Sequence, residues 1–184
     1  MSGPMLVEAV ADATLAYIRD HQTAKLTDVQ ARGWAVDVGD LTDFQALRFS
    51  DPLREHDSVF PALYCTPEEA TIAGTKGYGA VNTRQRWGFW VVAYAPGSIE
   101  EGLTPADHVK RKLARYCLAV WEMLIDMGAG NDPDYYANGA RVLWATDGVE
   151  PKILYGATYT NANGEYFADA RLEIGTEVLE ASAT

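Results

Sequence analysis

An almost wholly apolar run, Trp87-Gly88-Phe89-Trp90-Val91-Val92-Ala93-Tyr94, lies near the middle of the sequence and is the strongest sign of a buried β-sheet. Its aromatic and β-branched residues suit a pleated surface. A short apolar run bounded by turn residues is typical of a strand that is covered on both faces. Pro96-Gly97 ends the run, because proline offers no N–H group to a neighbouring strand. We therefore predict a buried strand over residues 86–94.

A long amphipathic helix is predicted next, over residues 104–127. Thr104 can cap it, Pro105 suits the first helical position, and Asp107 stands where a capping box usually has Glu or Gln. Gly128 is the predicted stop. Apolar residues recur at spacings of three and four, which indicates a buried stripe: Val109, Leu113, Tyr116, Cys117, Val120, Trp121 and Leu124. The opposite face is polar and carries Lys110, Arg111, Lys112, Arg115, Glu122 and Asp126.

Two strands joined by a tight turn close the chain. Residues 152–160 are predicted as the first strand, and Asn161-Ala162-Asn163-Gly164 is a hairpin-turn signal. Residues 166–179 alternate strictly, which predicts one core face and one charged face. The core face consists of Ala168, Ala170, Leu172, Ile174, Thr176 and Val178. The outward face carries Asp169, Arg171, Glu173 and Glu177.

The other elements are weaker signals, and we assign them in chain order. Residues 4–22 are predicted as a helix, 34–38 as a short strand, and 41–49 as a short helix or an irregular loop. Residues 59–65 are predicted as a strand with Pro61 at an edge or entry position, 74–82 as a flexible link or hairpin tip, and 141–146 as a strand. The expected fold is α+β: a single domain over residues 1–184, mainly antiparallel β-sheet, flanked by an N-terminal helix and one long central helix. Residues 181–184 form a possible flexible tail.

Composition limits the classes of function. The net charge of −11 argues against a general nucleic-acid-binding surface, which normally has a basic footprint. It is compatible with a pore through which DNA passes, because an acidic wall repels phosphates. Cys65 and Cys117 are expected to be free core thiols in a reducing compartment. We expect neither a signal peptide nor a membrane span, and so a protein made in a cytoplasm.

No pattern in the chain predicts a catalytic, metal or cofactor site. His21, His56 and His108 fall in different predicted elements and share no metal-ligand spacing. The glycines of residues 74–82 lack the Gly-Lys-Ser/Thr of a phosphate-binding loop, and the acidic loop over residues 130–139 lacks the calcium-loop pattern. A small enzyme built from carboxylates and His108, or a ligand-binding module on the aromatic sheet, are the less favoured alternatives.

The basic cluster on the central helix stands out in an acidic chain. It is either a solvated helix face or an electrostatic contact with an acidic partner, such as a neighbouring copy of this chain. The charged face of the last strand would supply the complement. The candidate subunit-interface residues are therefore Lys110, Arg111, Arg115, Asp169, Arg171, Glu173 and Glu177.

The order of elements resembles the tail terminator and neck (head–tail completion) proteins of long-tailed bacteriophages. The resemblance covers most of residues 59–180. The features that carry it are Phe60-Pro61-Ala62-Leu63, the strand over residues 86–94, the helix over residues 104–127 with Trp121-Glu122, and Ala168-Asp169-Ala170-Arg171-Leu172-Glu173-Ile174.

This resemblance implies a structural virion protein without enzymatic activity, catalytic residues or cofactors. Proteins of this family form a ring, usually a hexamer, that caps the tail tube, stops its polymerisation and offers a docking surface to the head. The implied partners are further copies of the chain, the tail-tube protein and head–tail connector proteins, at the neck of the virion. DNA would only pass through the lumen. The alternative reading is another head–tail connector, an adaptor or a tail-tube subunit.

Overall fold

The computed structural model describes residues 6–33, 38–46, 60–76, 80–95, 103–145 and 150–179. These residues form two helices, six strands and a 3-10 turn at Pro133–Tyr135, so the fold is α+β, as the sequence predicts. The elements are α1 (Leu6–Ala31), β1 (Asp43–Ala46), β2 (Ala62–Lys76), β3 (Ala80–Ala95), α2 (Pro105–Ala129), β4 (Arg141–Trp144), β5 (Lys152–Thr160) and β6 (Tyr166–Leu179).

The six strands form one sheet in the order β1-β2-β3-β6-β4. β2 and β3 are an antiparallel hairpin, and β3 pairs along its length with β6. β4 and β5 follow one another along the other edge of β6, both antiparallel to it. β1 is the exception, because it runs parallel to β2.

Both helices cover the same face of the sheet. α2 lies over β3, β6 and β4, and α1 lies over β1 and against α2. Every second residue of the central strands points to the helices, which follows from the alternation of side chains along a strand. The buried members of this inner face are Leu63, Cys65, Trp87, Phe89, Val91, Ala93, Ala168, Ala170, Leu172, Ile174 and Val178. The alternation predicted for β6 is thereby confirmed.

The start of α2 is confirmed, and its predicted stop is wrong by two residues. The Thr104 hydroxyl accepts from the Asp107 backbone N–H at 3.1 Å and donates to the Asp107 carboxylate at 2.7 Å. The helix ends at Ala129, and the N–H of the capping residue Gly130 donates to Asp126 O. Gly128 stays inside the last turn because its backbone packs against β4, and a Cβ there would lie 3.0 Å from Trp144 N.

The N-terminal third departs most from the sequence prediction. α1 continues to Ala31, nine residues past the predicted end, because Leu26 and Val29 extend its buried side. Residues 43–46 form β1, where a short helix or an irregular loop was predicted. The buried amide of Gln22 accounts for the path into β1. Its Oε1 accepts from Leu41 N at 2.8 Å and its Nε2 donates to Leu41 O at 3.3 Å, so the chain is held beside α1 as it enters β1.

The closing strands β5 and β6 match their predicted bounds. The segment over residues 74–82 was predicted as a flexible link, and its described residues are strand instead. β5, β6 and the turn at residues 161–164 lie where the sequence placed them. Pro61 directly precedes β2, as predicted for an entry position. Parts of several predictions fall outside the described residues: 34–37 of the strand predicted at 34–38, 47–49 of the segment predicted at 41–49, His56, 77–79 of the link predicted at 74–82, and the tail at 181–184.

Candidate subunit-interface surfaces

The basic cluster on α2 divides into exposed and buried members. Lys110 is exposed, and Arg111 is partly exposed. Arg115 is only 7% exposed, and its Nη1 donates to the carbonyl oxygen of Gln30 at 3.3 Å. Burial, and then the charge of Arg111, lowers the pKa of Arg115. The placement of Arg115 on the solvated face of α2 was therefore wrong: this residue lies in the contact between the two helices.

The acidic end of α2 is paired with the end of α1. Lys25 Nζ lies 2.6 Å from Asp126 Oδ2 and 3.5 Å from Glu122 Oε2. The hydrogen bond to Asp126 raises the pKa of Lys25. Arg32 reaches the other oxygen of Glu122 at 2.5 Å and also pairs with Asp28. This network fixes the two helices side by side and leaves the side chain of Asp126 50% exposed.

The outer face of the sheet carries a closed network of four charges. Arg86 lies 3.3 Å from Glu173 and 3.9 Å from Glu68. Arg171 pairs with Glu68 and lies 3.7 Å from Glu173, while its guanidinium sits 5.5 Å from the ring centre of Trp90. The charged face predicted for β6 exists, and the arginines of the same sheet neutralise much of it.

Two further members of this face differ in their exposure. Glu177 pairs with Arg84 at 3.7 Å, and the arginine side chain remains 51% exposed. Asp169 is only 7% exposed and packs against the backbone of Gly156, where a Cβ atom would collide with its carboxylate. Gly156 stands at the irregularity between Tyr155 and Thr158 in the pairing of β5 with β6. Asp169 is thus enclosed within the subunit, and its predicted outward presentation was wrong.

The edge strand β5 is the surface that sequence reasoning missed. Eight of its nine residues are exposed, although Ile153, Leu154, Tyr155 and Tyr159 are large apolar or aromatic side chains. β5 pairs with β6 along one edge, and no other described strand pairs with it. The sequence held a signal: residues 153–160 contain no charge, and apolar residues occupy both alternating positions. Such a strand is an exposed, unprotected edge.

A shallow depression near the C-terminal end of α2 is lined by Tyr17, Tyr135, Tyr136 and Arg141. Arg141 is used structurally there, because its Nη2 donates to Gly128 O at 3.0 Å and to Gly130 O at 2.9 Å. Tyr17 stacks on His21 with ring centres 4.2 Å apart. In the part of the chain that is described, no group of three or more His, Cys, Asp or Glu residues could hold a metal ion.

Comparison with known proteins assigns no family to this chain. No protein-family model matches it, and no curated protein is significantly similar to it. Within the described ranges, neither helix is long and apolar enough to cross a bilayer. The candidate surfaces are α2 around Lys110, the outer face of the sheet around Arg171 and Glu173, and the edge strand β5.

Proposed function

We propose that this chain is a structural protein of a tailed-bacteriophage virion, whose copies form a ring that ends the tail tube and joins it to the head. The observation that carries the proposal is the order of elements: an N-terminal helix, paired strands, a long helix and closing strands in one open sheet. This is the order on which the resemblance to terminator and neck proteins rests.

A ring subunit needs two different contact surfaces, because only a heterologous contact repeats around a ring and closes it. One candidate surface is Lys110 with the partly exposed Arg111 on α2. The other is the outer face of the sheet, where Arg171, Glu173 and Glu177 are partly exposed. Arg115 and Asp169 are enclosed within the subunit, so we omit both from these contacts.

The negative net charge of the chain supports a protein that DNA passes but does not bind to. With 26 acidic against 15 basic residues, a ring of copies would carry a large negative charge, and we propose that carboxylates line its inner wall. Like charges repel over a distance set by salt, so DNA phosphates would slide past such a wall. The partners in this proposal are further copies of the chain, the tail-tube protein and the head–tail connector proteins.

The runner-up is another head–tail connector, an adaptor or a tail-tube subunit, since these share the need for repeated contacts. Electron microscopy of lysates from a phage that lacks this gene separates them. A terminator predicts overlong, headless tails beside filled heads. Tails of normal length with unattached heads would indicate a connector or adaptor, and missing tails would indicate a tube subunit.

The matched control is the same lysate with the gene supplied from a plasmid, which should restore normal particles in each of these cases. Intact infectious particles without the gene would refute the virion role. In that case an enzyme or a ligand-binding module becomes the leading hypothesis. Either of those would be a compact monomer or dimer in solution, whereas a ring component should form larger species or associate with tube protein.

A further inference from the structure

Strand β5 leaves one of its two hydrogen-bonding edges open. It pairs with β6 on one side, and no other strand in the described part of the chain pairs with it. Eight of its nine residues are exposed. The backbone N–H and C=O groups that point away from β6 can therefore bind the backbone of another chain. An extended strand offers donors and acceptors at the matching spacing, so the edge selects a strand as its partner.

The other edges of the sheet carry features that hinder such pairing. β1 and β4 are each four residues long. β2 pairs with β1 only as far as Cys65 and then continues as Thr66-Pro67-Glu68-Glu69, with an irregular register after Pro67. Proline lacks the N–H donor, and the exposed Glu68 and Glu69 repel another acidic chain. Among the strands that the structure describes, β5 alone has a long edge without charge or proline in its interior.

The regular half of β5, Lys152–Tyr155, presents three large apolar side chains in a row. Ile153 is 37% exposed, Leu154 50% and Tyr155 59%. Ile153 and Tyr155 lie on the side of the sheet that the helices cover, and Leu154 lies on the outer side. Gly156 begins the irregularity that interrupts the pairing with β6, and a bulge of this kind ends regular pairing on the free edge as well. The segment that a partner can pair with is therefore short and apolar on both faces.

We propose that β5 of a second copy of this chain pairs antiparallel with β5, about a two-fold axis at Leu154. The hindered edge of β2 does not continue the sheet head to tail, so the open edge of one copy meets the same edge of another. In this register Leu154 faces Leu154 of the other copy, and Ile153 faces Tyr155. Lys152 faces Gly156. Directly opposite residues in an antiparallel pair share a face of the sheet, and an aromatic residue opposite a β-branched one stabilises it.

Charge also favours a second copy at this edge. A chain with a net charge of −11 repels its own copies, and the repulsion is least where no carboxylate enters the contact. Residues 153–160 carry no charge, and the cation Lys152 lies opposite glycine rather than opposite its own copy. The contact closes after two copies and uses none of the residues assigned to the ring contact, so it does not rest on the virion role.

Sedimentation velocity of the full chain over a range of concentrations tests the proposal. Residues 152–156 of each copy form a smaller contact than the roughly 800 Å² per partner of a stable complex, so we expect a dimer that dissociates at micromolar concentrations. Leu154→Glu places two carboxylates at the axis and should raise the dissociation constant about tenfold or more. Tyr159→Glu is the matched control, because Tyr159 is 47% exposed on the same strand and face but lies beyond Gly156. It adds the same charge, and its dissociation constant should stay within about twofold of the wild-type value.

A wild type that is monomeric at every concentration would overturn the proposal, as would equal behaviour of the two variants. Circular dichroism should show both variants folded, since both substituted side chains are exposed. The test needs no phage, so a failure of the dimer leaves the ring proposal standing. Equally, an electron-microscopy result against the virion role leaves the dimer standing.

Amide hydrogen exchange of the wild type shows whether the backbone of β5 takes part in the contact. Backbone N–H groups within residues 152–156 should exchange more slowly at high protein concentration than at low concentration, because pairing protects those that point outward. The amides of residues 158–160 lie beyond the irregularity and should not change. A dimer that forms while residues 152–156 keep their exchange rates uses another surface, and this result would refute the strand pairing.

A cysteine at the axis tests the register. Leu154→Cys places two thiols directly opposite one another, with Cβ atoms about 5 Å apart, so a short bismaleimide should crosslink the dimer. Tyr159→Cys is the control: each thiol lies five residues from the axis, so the two are roughly 33 Å apart at about 3.3 Å per residue. Cys65 and Cys117 are buried and should not compete. Equal crosslinking of the two variants, or none at position 154, would show that the proposed register is wrong.

Discussion

The Nη1 atom of Arg115 in α2 lies 3.3 Å from the carbonyl oxygen of Gln30 in the last turn of α1. Carbonyl groups in the last turn of a helix have no partner within that helix. A cation placed there also interacts favourably with the helix dipole. A residue spaced like a surface arginine is therefore an internal connection between the two helices.

Replacing Arg115 with Met should lower the free energy of unfolding by about 1–3 kcal/mol. Methionine keeps the aliphatic stem and removes the charged donor from a shielded carbonyl, which is the costly loss. Urea denaturation followed by circular dichroism measures the change. Lys110→Met is the matched control on the same helix, and because Lys110 is exposed its effect should stay within about 0.5 kcal/mol. Equal losses in the two variants would contradict the assignment of Arg115 to the helix contact.

Gly128→Ala should also destabilise the protein, although alanine favours a helix by about 1 kcal/mol over glycine. The added Cβ would lie 3.0 Å from Trp144 N and 3.7 Å from Leu143 Cα, so β4 must move away from α2. We expect a net loss of about 1 kcal/mol or more in thermal or urea unfolding. Gly39→Ala is the control, since no heavy atom lies within 4 Å of its Cβ position. A stabilised Gly128→Ala variant would show that β4 moves freely.

Reversing the charge of Glu173 should cost about 1–2 kcal/mol of stability, because lysine would stand between Arg86 at 3.3 Å and Arg171 at 3.7 Å. Adding Arg86→Glu to Glu173→Lys should recover part of the loss. Glu150→Lys, at an exposed position, serves as the control and should have little effect. If Glu173→Lys is no worse than this control, the network contributes no stability.

A phage carrying Glu173→Lys and Glu177→Lys should give a lower infectious yield. The stability of the doubly substituted protein must be measured beside the yield.

Both cysteines should be unreactive in the native protein. Burial raises the pKa of the Cys117 thiol to about 12, so at pH 8 almost none of the reactive thiolate is present. Cys65 is fully buried as well. An aromatic disulfide reagent should detect no fast thiol at pH 8 and should detect both after denaturation. One fast thiol in the wild type would mean that the region around α2 opens.

Some predictions of exposure depended only on the period of a helix or strand, and others depended on contacts with distant residues. The exposure of Lys110 and the outward position of Glu173 follow from the helix and strand periods, which place a side chain on a face. The burial of Arg115 and Asp169 does not follow, because it depends on α1 and on Gly156, which are distant in sequence.

Elements whose signals are local could be predicted from the sequence alone. Strict alternation gave the bounds of β6, the turn at residues 161–164 ended β5, and the capping side chains of Thr104 and Asp107 began α2. The cap and the turn involve neighbours within about four residues, and the alternation is contained within β6 itself, so each signal is visible in one short segment.

Features that rest on contacts between distant residues are visible only in the folded chain. The length of α1 depends on the burial of Leu26 and Val29. The path into β1 depends on the Gln22 amide, which binds both backbone groups of Leu41 nineteen residues away. The parallel pairing of β1 with β2 and the retention of Gly128 inside α2 depend likewise on neighbouring strands. A polar residue such as Gln22 looks like a helix end in the sequence, and it becomes interior when a second segment supplies its hydrogen-bonding partners.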